Sequence, residues 1–477
     1  MTPTVEQQAI IEAALTTPDS LLINALAGAA KTTTLDMICR ALPPQPILSL
    51  AFNKRIAEEM VKRLPGHVAA HTMNSIGHRV WSAAIGRRLV VNKDKSYDFL
   101  KAHIEELPRA QRREAQETFS ETLAAIRQAK IQGYVPPSIG KPGLISDADF
   151  YAGLDDEAPE HIVNSVLCAS IRAAYEGAID FDDQIYMSVL FGGTFPRYPL
   201  VMVDEAQDLS GINHAMLEKL AQGSRLIAVG DPHQSIYAFR GAVVNSMVRL
   251  REKFNMKEMT LSISFRCPRT VVQRAQRRVP FMQWAEWAIE GLVADRSPFH
   301  GKDIIDGSAI ICRNNAPLFS LALRLVRSGR GVRLVGTDLG PALVRALKKL
   351  GPEEMEQAHL LDSIDAWEAD MIVRGKAPAA IHDKGECFRV FAKFGKTLGE
   401  SVAYAEALFK QSGPIHLLSG HKAKGLEWDT VYYLDPWRIP SKYARTDDEL
   451  QQEANIDYVI TTRAKKELFL VNLEDFR

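Results

Sequence analysis

Short apolar runs recur along the chain, each followed by a polar turn and then by helical periodicity. Leu21–Leu26, Ile47–Phe52, Val201–Val203 and Leu226–Gly230 are such runs in the first half. Ile310–Cys312, Val332–Val335, Ile415–Ser419, Thr430–Leu434 and Leu468–Val471 are such runs in the second. Runs without polar alternation predict strands covered on both faces, the signature of parallel sheets flanked by helices. Helices are expected at the amino terminus, over LDMICRAL, after Asn53-Lys54-Arg55, after the turn His71–Gly77, and from Glu449 to Arg463.

Two stretches break this alternation. Residues 89–164 are helical and charge-rich, interrupted by Pro136-Pro137 and Pro142-Gly143, and read as an inserted helical subdomain. Its bases Lys93, Lys95, Lys101, Arg109, Arg112, Arg113, Arg127 and Lys130 are mixed with acids, so a solvated surface is expected for them. Residues 341–410 are again helical and carry no readable chemistry.

The chemistry gathers where strands end. Asp204 and Glu205 follow Val201–Val203, at the carboxyl end of a strand, where open α/β sheets place ligands. Adjacent buried carboxylates need a cation or a proton, which Mg²⁺ and a water-activating base would explain. A solvated helix start, favoured by acids, is the other reading. After Leu21–Leu26 comes Ala27-Gly28-Ala29-Ala30-Lys31-Thr32-Thr33-Thr34 and then a helix. That order suits a phosphate-binding loop: backbone N–H groups face phosphate, the lysine reaches its oxygens, and the hydroxyl holds Mg²⁺. In the GxxxxGK[ST] frame Ala25 and Ala30 stand where glycines are usual, and a small-residue helix start with a snorkelling lysine is the alternative. Leu226–Gly230 leads into Asp231-Pro232-His233-Gln234, then Tyr237, Phe239 and Arg240, which pair aromatic faces with a cation as single-strand binders do.

Composition narrows little further. The chain has 477 residues, enough for two to four domains, with 58 basic and 58 acidic side chains. Any basic surface must therefore be local. Five scattered cysteines without CxxC spacing argue against a metal cluster and for a reducing compartment. No apolar run reaches the length of a membrane span, and MTPTVEQQAI lacks a signal-peptide pattern.

Taken in order, VEQQAII, ALAGAAKTTTL, LAFNKRIAEEM, HTMNSIG, DFDDQI, VDEAQD, GDPHQSIYAFRGA, SFRCP, ICRNN, GHKAKGLEWD and IDYVITTRA resemble the motifs of superfamily 1 DNA helicases of the UvrD/Rep/PcrA type. Within that group the chain is similar to the F-box DNA helicases and small phage-type UvrD-like helicases. The resemblance implies an α/β fold with two RecA-like P-loop cores, parallel sheets and a helical insertion in each core. Residues 1–88 and 165–260 would form the first core and 261–340 and 411–477 the second. The insertions would be 89–164 and 341–410.

Site roles follow from the same resemblance. Gln7 would read adenine and Phe265, where relatives carry Tyr, would stack on it. Gly28, Ala29, Ala30, Lys31, Thr32 and Thr33 would cradle the phosphates of ATP. Thr32 and Asp204 would hold Mg²⁺, and Glu205 would be the general base. Gln234 would sense the γ-phosphate, Arg266 and Arg463 would act as arginine fingers, and Glu427 would couple nucleotide to DNA. Asn53, Lys54, Thr72, Phe239, Arg240 and His421 would contact DNA. Met73 and Asn74 depart from the Phe-His pair of relatives.

The implied activity is ATP-dependent unwinding with 3′→5′ translocation on single-stranded DNA. A translocase that strips bound proteins, and a single-strand binder with impaired ATPase, are the alternatives. Partners would be single strands and duplex junctions, with loading, replication or recombination proteins unidentified and no membrane. The compartment would be cytoplasmic, or nuclear in a eukaryote.

Overall fold

A computed structural model of the chain describes residues 2–154, 158–236, 243, 245–336, 339–373 and 378–477. The chain divides into two compact units, Met1–Ala25 with Ala30–Leu261, and Leu26–Ala29 with Ser262–Arg477.

The first unit is built on six strands: β1 (Leu21–Ala25), β2 (Ile47–Ala51), β3 (Val68–Thr72), β4 (Leu200–Val203), β5 (Arg225–Gly230) and β6 (Lys257–Leu261). Their order is β3-β2-β4-β5-β1-β6 and every pairing is parallel. All residues of β2 and β4 are buried, which is why they read as unbroken apolar runs. β3 was not expected. VAAHT is only half buried and weak in strand propensity, and its register against β2 (Ile47 to Val68, Ala51 to Thr72) supplies what local preference does not. Helix starts are fixed by side chains: Thr4 and Ser210 form capping boxes, and Asn53 and Thr72 cap the helices Lys54–Arg63 and Met73–Ile85.

Residues 95–175 hold helices Lys95–Glu106, Arg109–Glu117, Phe119–Gln132, Asp147–Ala152 and Glu160–Tyr175, with a core around Leu100, Ile126, Phe150 and Val163. Here the structure corrects the expectation of a solvated basic surface. Lys95 and Lys130 are each 1% exposed. Lys95 Nζ donates to Asp183 Oδ2 at 2.6 Å and to the Ser170 carbonyl at 2.8 Å. Lys130 Nζ donates to Asp180 Oδ2 at 2.6 Å and lies 2.8 Å from Asp183 Oδ1. Asp180 and Asp183 also accept each other's backbone N–H. Burial would raise the Asp180 carboxyl, but Lys130 outweighs it and holds that carboxyl down at about 2. The acids of DFDDQI thus draw two lysines of these helices inward.

The second unit repeats the architecture with β7 (Leu292–Asp295), β8 (Ala309–Cys312), β9 (Val332–Leu334), β10 (Ile415–Ser419), β11 (Trp428–Leu434) and β12 (Ala464–Val471). The order is β7-β12-β11-β8-β10-β9, again parallel throughout. Helices Gln357–Val373, Pro378–Phe394 and Leu398–Phe409 share one core with this sheet through Leu360, Phe388, Phe391 and Leu408. The fold is α/β with two RecA-like parallel sheets.

Candidate functional site

In the first unit, the residues singled out at strand ends converge. Lys31 opens the helix Lys31–Ala41 directly after the loop that leaves β1. Asp204 and Glu205 leave β4, and Asp231 leaves β5. Lys31 Nζ donates to Glu205 Oε2 at 2.8 Å, and Thr32 Oγ1 to Asp204 Oδ2 at 3.4 Å. Glu205 N donates to Asp204 Oδ1 at 2.8 Å. Gln234 Nε2 donates to Asp231 Oδ2 at 2.6 Å. The solvated-helix-start reading of Asp204 therefore fails: the carboxylate is buried and faces the loop lysine's own helix.

Gln207 of VDEAQD ties the acids together. Its Nε2 donates to Glu205 Oε2 at 2.6 Å while its Oε1 accepts from Asp231 N at 2.9 Å. Nothing in its residue type signals this. Its place two positions after Glu205 in a 3₁₀ turn does.

Among the described residues, the carboxylates of Glu205, Asp204 and Asp231 lie around the Lys31 ammonium. Burial would lower the Lys31 ammonium, but Glu205, Asp204 and Asp231 outweigh it and raise it. Burial also raises the Asp231 carboxyl against the pull of Lys31. The Asp204 carboxyl is pushed up to about 6 by burial and by Glu205, with Lys31 opposing. The donor set suits a hard cation. The Asp204 carboxylate and Thr32 hydroxyl are oxygen ligands of the kind Mg²⁺ takes, leaving other positions to phosphate and water. Among the described residues no group of three or more His, Cys, Asp or Glu could hold a metal by itself.

The Asp204 shift has a measurable consequence. A carboxyl whose folded value lies above its ordinary 3.8 binds more protons folded than unfolded between 3.8 and about 6. It therefore costs stability as pH rises through that window, and fully above it. Asp204→Asn is expected to raise the melting temperature of the nucleotide-free chain near about pH 8 and to leave it unchanged near about pH 4. An equal change at both, read by thermal denaturation, would contradict this.

Two non-glycine residues in the site hold left-handed backbone. Ala30 has φ +56° and caps the helix with no side-chain bond, and Glu205 has φ +54°. Of the two alanines that stand where glycines are usual, Ala30 holds the left-handed backbone, whereas Ala25 lies within β1 and carries no such conformation. A β-carbon in this region costs roughly 1–2 kcal/mol, offset in part by the entropy a glycine adds to the unfolded chain. Ala30→Gly is expected to stabilise the chain by up to about 1 kcal/mol in chemical denaturation, and a loss of stability would oppose this reading. With no side-chain cap, the first-turn N–H groups remain available to an anion.

Other expected residues fall as follows. Gln7 is buried in the first helix. Its Oε1 accepts from Thr4 N at 3.0 Å and its Nε2 donates to Thr34 Oγ1 at 3.0 Å, so its amide braces the start of the phosphate-loop helix. Asn53 Oδ1 accepts from Ile56 N at 2.9 Å and Thr72 Oγ1 from Ser75 N at 3.1 Å. Both are helix caps at the carboxyl ends of neighbouring β2 and β3, a structural reason for each to be there. Lys54 is exposed. Tyr237, Phe239 and Arg240 lie outside the described residues.

In the second unit, the loop residues Leu26–Ala29 are held by backbone. Phe265 N donates to the Gly28 carbonyl and Ala27 N to Tyr458 Oη, both at 2.9 Å. A β-carbon at Gly28, whose φ is +75°, would lie 2.7 Å from Ser264 Oγ and from Arg266 Cβ, so glycine is required there. Arg266 Nε pairs with Glu427 Oε2 at 2.6 Å. Arg463 is 1% exposed and donates to the carbonyls of Val459 (2.9 Å) and Leu426 (3.2 Å) and to Thr462 Oγ1 (3.1 Å). Phe265 lies against Trp287, with ring centroids 5.8 Å apart. Trp287 lies outside every motif of the sequence. His421 sits in the short helix Gly420–Ala423 after β10.

A loop lysine and threonine facing an Asp-Glu pair at the ends of parallel strands define the P-loop class of α/β protein. Comparison with known families sharpens this. Residues 4–255 match the UvrD/REP helicase N-terminal domain and residues 397–475 the UvrD-like helicase C-terminal domain. F-box DNA helicase protein 1 of Schizosaccharomyces pombe is 24% identical over 98% of this chain and 57% of its own length. F-box DNA helicase 1 of Gallus gallus is 26% identical over 98% of this chain and 49% of its own. ATP-dependent DNA helicase PcrA of Leuconostoc citreum is 25% identical over 58% of this chain and 40% of its own. The chain belongs to the UvrD-like helicase family. It spans about half the length of the curated relatives it matches. Among the described residues no helix is long and apolar enough to cross a membrane.

Proposed function

We propose that the chain is a DNA-stimulated ATPase that moves 3′→5′ along single-stranded DNA and unwinds duplex. The observation that carries this is the Lys31–Glu205 contact beside Thr32 and Asp204 at the ends of β1 and β4. Glu205 is the only carboxylate of the three that Lys31 contacts directly among the described hydrogen bonds, and it suits the role of base for the attacking water. When phosphate enters, Lys31 would exchange Glu205 for phosphate oxygens and free the carboxylate to accept a proton. Mg²⁺, held by Thr32 and Asp204, would neutralise charge on the phosphoryl oxygens. Gln207 would fix the orientation of Glu205 through its 2.6 Å bond. Gln234 is assigned to the γ-phosphate, Arg266 and Arg463 to transition-state charge, and Phe265 to the base. Gly28, Ala29, Ala30 and Thr33 are assigned to the phosphate cradle. Asn53, Lys54, Thr72, Phe239, Arg240 and His421 are assigned to DNA, and Glu427 to coupling. The first core is assigned to residues 1–88 and 165–260, the second to 261–340 and 411–477, and the helical insertions to 89–164 and 341–410.

Strand displacement on duplexes with a 3′ or a 5′ single-stranded tail tests both activity and polarity. Unwinding only from the 3′ tail is expected. Unwinding only from the 5′ tail would reverse the polarity assignment.

A further inference from the structure

The second unit carries a pocket that none of these roles uses. Arg274, Arg277, Arg278, Pro436, Ile439 and Asp457 line a cavity of about 320 Å³, room for a phosphate group and its waters. Arg278 is held in place: its Nε donates to Asp457 Oδ2 at 2.8 Å, and Asp457 Oδ1 accepts from Tyr433 Oη at 3.1 Å. Asp457 is therefore already committed. Arg274 Nε is buried and, among the described residues, has no hydrogen-bond acceptor. Arg277 is exposed. Among the described residues lining the cavity, three guanidiniums thus meet one carboxylate, and a buried N–H is left wanting an oxygen.

Guanidinium groups match phosphate oxygens in paired, planar geometry. The pocket also has a neighbour that a free anion would not need. Trp437, next to Pro436, is 64% exposed, and the Arg438 guanidinium lies 4.8 Å from its ring centroid. A cationic pocket beside an exposed indole is the combination that binds a nucleic-acid strand, phosphate in one and base on the other. We propose that this pocket is a binding site for a backbone phosphate of single-stranded DNA, with Trp437 as the adjoining stacking surface. The inference rests on the DNA reading above and adds residues to it.

The test is fluorescence anisotropy of the full chain with a labelled oligo-dT strand across a salt series. Arg277→Ala and Arg277→Glu leave the Arg278–Asp457 pair intact, and their melting temperatures should match wild type. Binding is expected to weaken about five- to tenfold in Arg277→Ala and further in Arg277→Glu. The slope of log affinity against log salt should become shallower by about 0.7 in Arg277→Ala. Trp437→Ala should lose affinity for oligo-dT but not for an abasic strand. Unchanged affinity and slope in both Arg277 variants would overturn the proposal. So would pyrophosphate binding that depends on Arg277 while DNA binding does not. A wild-type chain that binds no DNA at low salt would instead remove the DNA reading on which this one rests.

Discussion

Glu205→Gln is expected to lower DNA-stimulated ATP hydrolysis by about 10²–10⁴-fold while ATP still binds. The substitution keeps the shape of the side chain and an oxygen that can accept from Gln207. It removes the group proposed to take the proton from water. It also removes the negative partner of Lys31, which sits 2.8 Å away, and leaves Asp204 and Asp231 as that lysine's remaining carboxylates. The Asp204 carboxyl should then titrate lower, because Glu205 is one of the two causes that raise it. Phosphate release measured beside binding of a fluorescent ATP analogue separates the effects. Loss of turnover with retained binding is the expected pattern. Turnover within a few fold of wild type would take the base assignment away from Glu205.

Lys130→Met is expected to be among the most destabilising single changes in the first unit. The ammonium contacts both Asp180 and Asp183, each almost wholly buried. Removing it leaves Asp183 with Lys95 and takes from the buried Asp180 carboxylate its bonded ammonium, and breaking such a network costs roughly 3–5 kcal/mol. In a unit of this size that corresponds to a drop in melting temperature of about 10 °C. The loss should be smaller at low pH. Asp180 is held down at about 2, so its stabilisation is present above the ordinary carboxylate value and fades as pH falls towards 2. Thermal melts of Lys130→Met between about pH 7 and pH 3 test both points. A variant as stable as wild type would mean that the lysine only fills space.

The parts of this molecule that rest on period and residue type were readable from sequence. Strands such as Ile47–Ala51 and Leu200–Val203 are buried on both faces and announce themselves as apolar runs. The chemistry at their ends follows from the sheet being parallel, since all carboxyl ends then lie on one edge. β3 was not readable, because its strand character comes from pairing with β2 rather than from VAAHT. The inward turn of Lys95 and Lys130 was not readable either. A lysine is exposed by default, and only the fold brings Asp180 and Asp183 beneath them, 50 to 88 positions away in sequence. The left-handed conformation of Glu205 belongs to the same group, since its residue type does not favour it, whereas that of Ala30 was readable from the glycine usual at its place in the loop.

Phosphate release from ATP, measured with and without single-stranded DNA for wild type and Lys31→Ala, tests the central claim most directly. Strong stimulation by the strand, abolished in Lys31→Ala, is the predicted result. Hydrolysis that is absent, indifferent to DNA, or unaffected by loss of Lys31 would contradict it.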